Sequence, residues 1–239
     1  MFVMKKDKEN FYKSKNLFCF WADNNPMSNT RKKCLESLKN TGMNVKFLDK
    51  NAINEWIVDD YPFHEGYDAL SATHKSDYLR AYFMHHYGGG YTDIKYLDYS
   101  WLPAFKNLVE SDNYIEGYPE VGVIGITRKK GMIFFIKHAL KVNKLIGCGA
   151  FLCKPNTPFT KSWIDGVHSI MDKKIEKLKN NPASGPLDYI NMKLEDGSRS
   201  KYPLTHSAFS GENFHPVCVK FIDKLGRSLQ TPNFKLEYK

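Results

Sequence analysis

The passage from His74 to Lys95 limits the possible folds more than any other part of the chain. Leu79, Tyr82, Phe83 and His86 recur at three- and four-residue intervals, the spacing of one helix face. Thr73 is the expected N-cap of this helix. Gly88-Gly89-Gly90 ends it, because glycine adopts the left-handed conformation at a helix end without a Cβ penalty and lets backbone approach a ligand closely. Tyr91 to Leu97 reads as the strand that follows. Asp93 and Lys95, two residues apart on it, should point to the same face.

The flanking sequence supplies neighbours for that strand. Leu17-Phe18-Cys19-Phe20-Trp21 is an apolar run that stops at Ala22-Asp23-Asn24-Asn25-Pro26, as a strand meeting a loop does. Ser28 or Asn29 can cap a helix through about Leu38, Asn40-Thr41-Gly42 ends it, and Val45 to Asp49 is a second strand. Strand, helix and strand at this spacing form a parallel unit with a right-handed crossover. Val121 to Ile126 and Leu145 to Cys153 are further strands, with amphipathic helices near 131–142 and 158–179. The expected fold is α/β, a mostly parallel sheet flanked by helices, with ligands beyond the carboxyl ends of the strands. Trp21, Asp23, Asp93 and Lys95 all fall at or near such ends.

With 239 residues, 42% of them apolar, the chain can fill one such core, and it reads as a single domain over 1–239 with a polar lead-in at 1–15. The net charge of +9 comes largely from lysine, clustered at Lys5, Lys6, Lys8, Lys13 and Lys15 and again at Lys173, Lys174, Lys177 and Lys179. Such runs are solvated faces first, and contacts to a polyanion or a membrane surface second. No apolar stretch approaches the ~20 residues of a membrane helix, and Met1-Phe2-Val3-Met4 runs into lysines rather than an apolar signal core. A cytoplasmic protein is expected, any membrane association being peripheral through the lysine clusters. The cysteines number five and include no Cys-x-x-Cys pair, so reduced thiols are expected rather than a disulfide framework or a zinc knuckle. Walker, dinucleotide-binding, metalloprotease and nucleophile-elbow motifs are all missing. His85 and His86 are adjacent on a helix and cannot share a metal face.

Asp77 and Arg80 are three apart on a helix, so they can pair with each other or grip one ligand together. The guanidinium fork suits phosphate or vicinal hydroxyls, and the carboxylate accepts from sugar hydroxyls. Asp93 can hold a divalent cation, which would in turn hold a pyrophosphate; Lys95 would act on the same charge directly. The bland alternative for both pairs is a surface ion pair worth ~0–1 kcal/mol.

Ser76-Asp77-x-x-Arg80 followed by Tyr87-Gly88-Gly89-Gly90-Tyr91-x-Asp93-x-Lys95 resembles the signature of glycosyltransferases with a DXD-type sugar-binding region, in the capsular polysaccharide synthesis protein branch. Weaker similarity extends from Trp21 to Tyr202-Pro203-Leu204 and Phe214-His215-Pro216. The resemblance implies a GT-A, Rossmann-like fold, a nucleoside diphosphate sugar as donor (UDP-linked in the expected case), Mn2+ or Mg2+, and transfer to a hydroxyl of a glycan or polysaccharide. It places Trp21, Asp23, Asp77, Arg80, Tyr91 and Asp93 on the donor, with Asp93 as the first aspartate of the motif. Lys95 departs from the pattern, since a second metal-binding carboxylate is usual there. His215 is the residue expected to complete a metal site with Asp93, against the simpler reading of a histidine packed beside Pro216.

Glu212 and Asp188 are loop carboxylates that could serve as the acceptor's base, each otherwise a solvated loop carboxylate, and Glu116 is a third candidate at a strand end. Gly147-Cys148-Gly149-Ala150 puts small residues where a sugar could approach, or where a strand packs tightly. The rival from another class is a non-catalytic polyanion-binding module that keeps the fold and uses its positive charge, with affinity falling steeply in salt. Nucleic acid is not an expected partner, because Tyr78, Tyr82, Tyr87 and Tyr91 have the spacing of core residues rather than a stacking platform.

Overall fold

The computed structural model describes residues 13–22, 25–121 and 142–232. Its strands are β1 (Asn16–Trp21), β2 (Asn44–Asp49), β3 (Gly89–Thr92), β4 (Ile115–Pro119), β5 (Ile146–Cys153) and β6 (Leu225–Gly226), joined in the order β2-β1-β3-β5-β4-β6. β1 is parallel to β2 and β3, and β4 is parallel to β6. β5 runs antiparallel between β3 and β4. The helices are α1 (Asn29–Ser37), α2 (Ala72–His86), α3 (Leu102–Glu110), α4 (Pro158–Asp172), α5 (Ile175–Asn180) and α6 (His215–Lys220). This is the expected α/β architecture, a mostly parallel sheet flanked by helices.

The central strands read as unbroken apolar runs because both sheet faces are covered. Phe18 and Phe20 of β1 face a core shared with Tyr78, Leu79 and Phe83 of α2 and Trp163 of α4. Leu17 and Cys19, pointing the other way, meet Cys34 of α1, Leu38, and Phe105 and Leu108 of α3. Truncating a fully buried ring such as Phe18 would cost about 3–5 kcal/mol.

The β1-α1-β2 unit forms as read, with Ser28 Oγ accepting from Arg31 N at 3.2 Å and Gly42 taking φ 71° after the last turn. Asn16 pairs with Asn44 and Trp21 with Asp49. The cap of α2 is Ser71 rather than Thr73: Ser71 is extended, and its Oγ accepts from His74 N at 3.4 Å. Thr73 instead donates to the Pro186 carbonyl at 3.2 Å.

The glycine triplet has a divided role. Gly88 (φ 63°) ends α2, its N–H donating to Phe83 O at 3.1 Å. Gly89 and Gly90 already belong to β3. A Cβ on Gly89 would lie 2.5 Å from the Asn16 carbonyl oxygen, and one on Gly90 2.8 Å from Leu17 Cδ1. These two glycines allow β3 to lie close against β1 and, at Gly90, against Leu152 of β5. β3 also ends at Thr92, well short of the expected Leu97.

The single helix expected over 158–179 is broken at Lys173-Lys174 into α4 and α5, where Lys174 leaves helical geometry at φ −126° and ψ 9°. The strand expected over Val121 to Ile126 is described only at Val121, which follows the end of β4; the helix near 131–142, the lead-in through residue 12 and Asp23 fall outside the described residues or nearly so. Among the described residues no helix is long and apolar enough to cross a membrane.

Candidate active site

Thr92 lies opposite Ala150, and Pro119 opposite Ile146. The carboxyl ends of β3 and β4 therefore flank the start of β5, and there a cleft of about 360 Å³ opens. Asp77, Arg80, Asp93, Lys95, Tyr118, Glu120, Cys148, Gly149 and His215 are among its lining residues.

Arg80 is the hub of the floor. Its Nη2 lies 3.1 Å from Asp77 Oδ1 and 3.4 Å from Asp93 Oδ1, and its Nη1 donates to the Cys148 carbonyl at 2.9 Å. The guanidinium stacks on the Tyr91 ring, 4.6 Å from its centroid. One side chain thus ties α2 to β5 and to the residue just past β3. Arg80 Nε is buried without a hydrogen-bond partner among the described residues. A plain surface pair is excluded, since the side chains of Arg80 and Asp77 are only 13% and 8% exposed.

Asp93 and Lys95 meet as expected, but not because a strand aligns them. Beyond Thr92 the chain turns, with Asp93 N donating to Gly149 O at 2.8 Å and Lys95 N reaching back to Asp93 O at 2.7 Å. This two-residue turn brings Lys95 Nζ within 2.8 Å of Asp93 Oδ2. Tyr91 Oη donates to Asp93 Oδ1 at 2.7 Å and also contacts Ser76 Oγ at 3.2 Å. Burial works to raise the pKa of Asp93, but Arg80 and Lys95 outweigh it and hold the carboxyl below its usual range. Tyr91 is pushed the other way, well above the ordinary phenol value, chiefly by burial, so it remains a donor.

Gly149 leaves room for this arrangement. A Cβ there would lie 3.2 Å from Asp93 Oδ2 and 3.3 Å from Tyr118 Oη, tighter than such contacts normally run. At Gly147 a Cβ would fall inside the Tyr118 ring, 2.0 Å from Cζ. The small residues of β5 are therefore fixed by packing against Tyr118 and the ion cluster.

The expected metal pairing of Asp93 with His215 is not what these side chains form. Both Asp93 oxygens are engaged by Tyr91, Arg80 and Lys95. A hard divalent cation needs several oxygens around it, and at Asp93 it would sit beside two cations. The residues around Asp93 do not fit Mg2+ or Mn2+. His215 instead directs Nε2 to Glu120 Oε2 at 3.3 Å and Cys148 Sγ at 3.6 Å.

The remaining expected residues lie elsewhere. Trp21 ends β1 half-buried, its indole donating to Asn25 O at 2.9 Å, and does not line the cleft. Tyr91, 2% exposed, lies beneath the cleft rather than in it. Asp188 is buried, with Oδ2 accepting from Ser184 N and Oγ, each at 2.9 Å. Glu212 accepts from Thr205 and Ser207. Neither carboxylate lines the cleft. Glu116, in the first half of β4, accepts from Asn113 and Ser228 and braces the β6 side of the sheet.

Glu120, Cys148 and Tyr118 are among the cleft residues for which the sequence alone indicated no site role. Glu120 follows the carboxyl end of β4 just as Asp93 follows β3, but β4 is not among the expected strands, one of which begins after Glu120 instead. Cys148 stands between two glycines whose sequence fits a sugar's approach and tight strand packing equally well, and neither reading gives the thiol a role.

Fold and cleft define an α/β protein whose cleft lies at the carboxyl ends of β3 and β4. Residues 2–94 match the sequence model of the family described as capsular polysaccharide synthesis protein. The match bears out the resemblance read from the passage around Asp77 and Asp93, and it stops just before Lys95. No curated protein matches the chain. A solved structure titled PaToxG Glycosyltransferase superposes with a TM-score of 0.43 at 12% identity, covering 92% of this chain and 77% of that one.

Proposed function

We propose that the chain is a glycosyltransferase, a single GT-A domain over 1–239, that moves a sugar from a nucleoside diphosphate sugar, UDP-linked, to a hydroxyl of a glycan or polysaccharide. The observation that carries this reading is the largely buried Asp77–Arg80–Asp93–Lys95 chain on the floor of the cleft, with Asp93 partly open to it, where preset charges need no reorganisation when a diphosphate departs. The match of residues 2–94 supports it.

In this reading Asp77 accepts from donor hydroxyls, and Lys95 takes the growing charge on the diphosphate. Asp93, held by Arg80 and Tyr91, keeps the Lys95 ammonium aimed into the cleft. Arg80 acts mainly by fixing both carboxylates. Leaving-group stabilisation is assigned to these side chains, with no step through Mg2+ or Mn2+.

Calorimetric titration with a panel of nucleoside diphosphate sugars tests the proposal. Saturable binding of one of them, weakened about 10–100-fold by Lys95→Met as expected for a lost charged hydrogen bond, is the expected result. Binding of any polyanion with a steep salt dependence, indifferent to Lys95→Met, would overturn it in favour of a polyanion-binding module.

A further inference from the structure

We infer that Glu120, Cys148 and His215 form a three-ligand site for a zinc-type transition metal in the wall of the cleft, separate from the Asp93 cluster. Glu120 follows β4, Cys148 is in β5 and His215 opens α6, yet one ligand atom from each lies within 4.8 Å of the others. His215 Nε2 is 3.3 Å from Glu120 Oε2 and 3.6 Å from Cys148 Sγ. Tetrahedral zinc with Zn–N of about 2.0–2.1 Å, Zn–O of about 2.0–2.2 Å and Zn–S of about 2.3 Å requires edges of about 3.4 Å between N and O and about 3.6 Å between N and S. Both observed separations match those edges.

Two simpler arrangements fit less well. A thiol–imidazole–carboxylate relay places the carboxylate on the ring nitrogen opposite the thiol. Here both groups converge on Nε2, while Nδ1 is buried with no hydrogen-bond partner among the described residues. A lone His–Glu ion pair accounts for the carboxylate but not for a sulfur on the same nitrogen, since one N–H points along one direction and a metal ion can hold both. Thiolate, imidazole and carboxylate together select zinc over Mg2+ or Mn2+. Glu120 is oriented by the Val121 N–H, which donates to its Oε1 at 3.0 Å. All three ligands line the cleft, so the fourth position opens into it, as in zinc sites that bind water or substrate.

The test uses the full chain stripped of metal and does not depend on transferase activity. Titration with Zn2+ against a chromogenic chelator should show about one tight equivalent, and Co2+ should give tetrahedral d–d bands with a sulfur-to-cobalt charge-transfer band. Cys148→Ser should abolish the charge-transfer band, and Glu120→Gln should weaken zinc at least about tenfold, each with an unchanged circular dichroism spectrum. Cys34→Ser, at a buried thiol remote from the cleft, should keep the band. Failure to bind stoichiometric zinc, an octahedral cobalt spectrum, or a charge-transfer band that survives Cys148→Ser would overturn the inference. His215→Ala is not needed, because that side chain is 1% exposed and its loss could unfold the helix start.

Discussion

Lys95 Nζ lies 2.8 Å from Asp93 Oδ2, while the other oxygen of the same carboxylate faces Arg80 Nη2 at 3.4 Å. One aspartate therefore neutralises two cations from different parts of the chain. Asp93→Ala should cost about 3 kcal/mol in urea unfolding, because it strands buried positive charge. Adding Lys95→Met should recover part of that loss, so the double variant should be less damaged than the two single losses summed. Strict additivity would show that the pair does not interact.

Arg80→Lys should behave as a drastic change despite its conserved charge. An ammonium cannot reach Asp77, Asp93 and the Cys148 carbonyl together, and it loses the planar stack on Tyr91. A stability loss of about 2 kcal/mol is expected, with nucleotide-sugar affinity falling as well. Unfolding and titration data equal to those of the parent protein would contradict the hub role.

Gly89→Ala separates the two possible reasons for the glycine triplet. At φ 83° and with a Cβ only 2.5 Å from Asn16 O, alanine there should destabilise the β1–β3 junction by more than about 1 kcal/mol. Ligand affinity of the folded fraction should hold. Normal stability with lost binding would return the glycine to the ligand site.

Acid should weaken the fold through two histidines kept neutral by their surroundings, buried His74 and half-buried His86. Burial depresses the pKa of His74, which bonds Ser71, Tyr202 and the Thr205 carbonyl. Burial, with His85 and His168 nearby, pulls His86 to about 4. Both are neutral in the folded chain and would take up a proton on unfolding once the pH drops below about 6.5. The unfolded state then binds more protons, so stability should decline as pH falls from about 6.5 toward 4. Urea midpoints measured across this range should show the decline, and His86→Gln should flatten it. A midpoint that stays level would remove both histidines from the account.

The floor of the cleft was legible in part because some of its signals are local. Asp77 and Arg80 share a helix face, so their spacing alone brings them together, whereas Asp93 and Lys95 meet through a turn beyond β3. The reason for the second pairing was misread, since a turn bonded to Gly149 replaces the expected strand. α3 went unseen as an element: it is short, carries Pro103 in its first turn, and its register is settled by Ala104, Phe105 and Leu108 packing on the second core. β6 spans only two residues, Leu225 and Gly226, too few to show a period.

Periodicity and turn chemistry in the sequence determined the β1-α1-β2 unit, the course of α2 and the apolar runs of β1 and β5, because these depend on residues a few positions apart. Only the tertiary structure decided that Asp93 would be ringed by Arg80, Lys95 and Tyr91, and that His215 would meet Glu120 and Cys148. Cys148 and His215 are 67 residues apart along the chain. Contacts at that range are fixed by how helices and strands pack on the sheet, which no local spacing encodes.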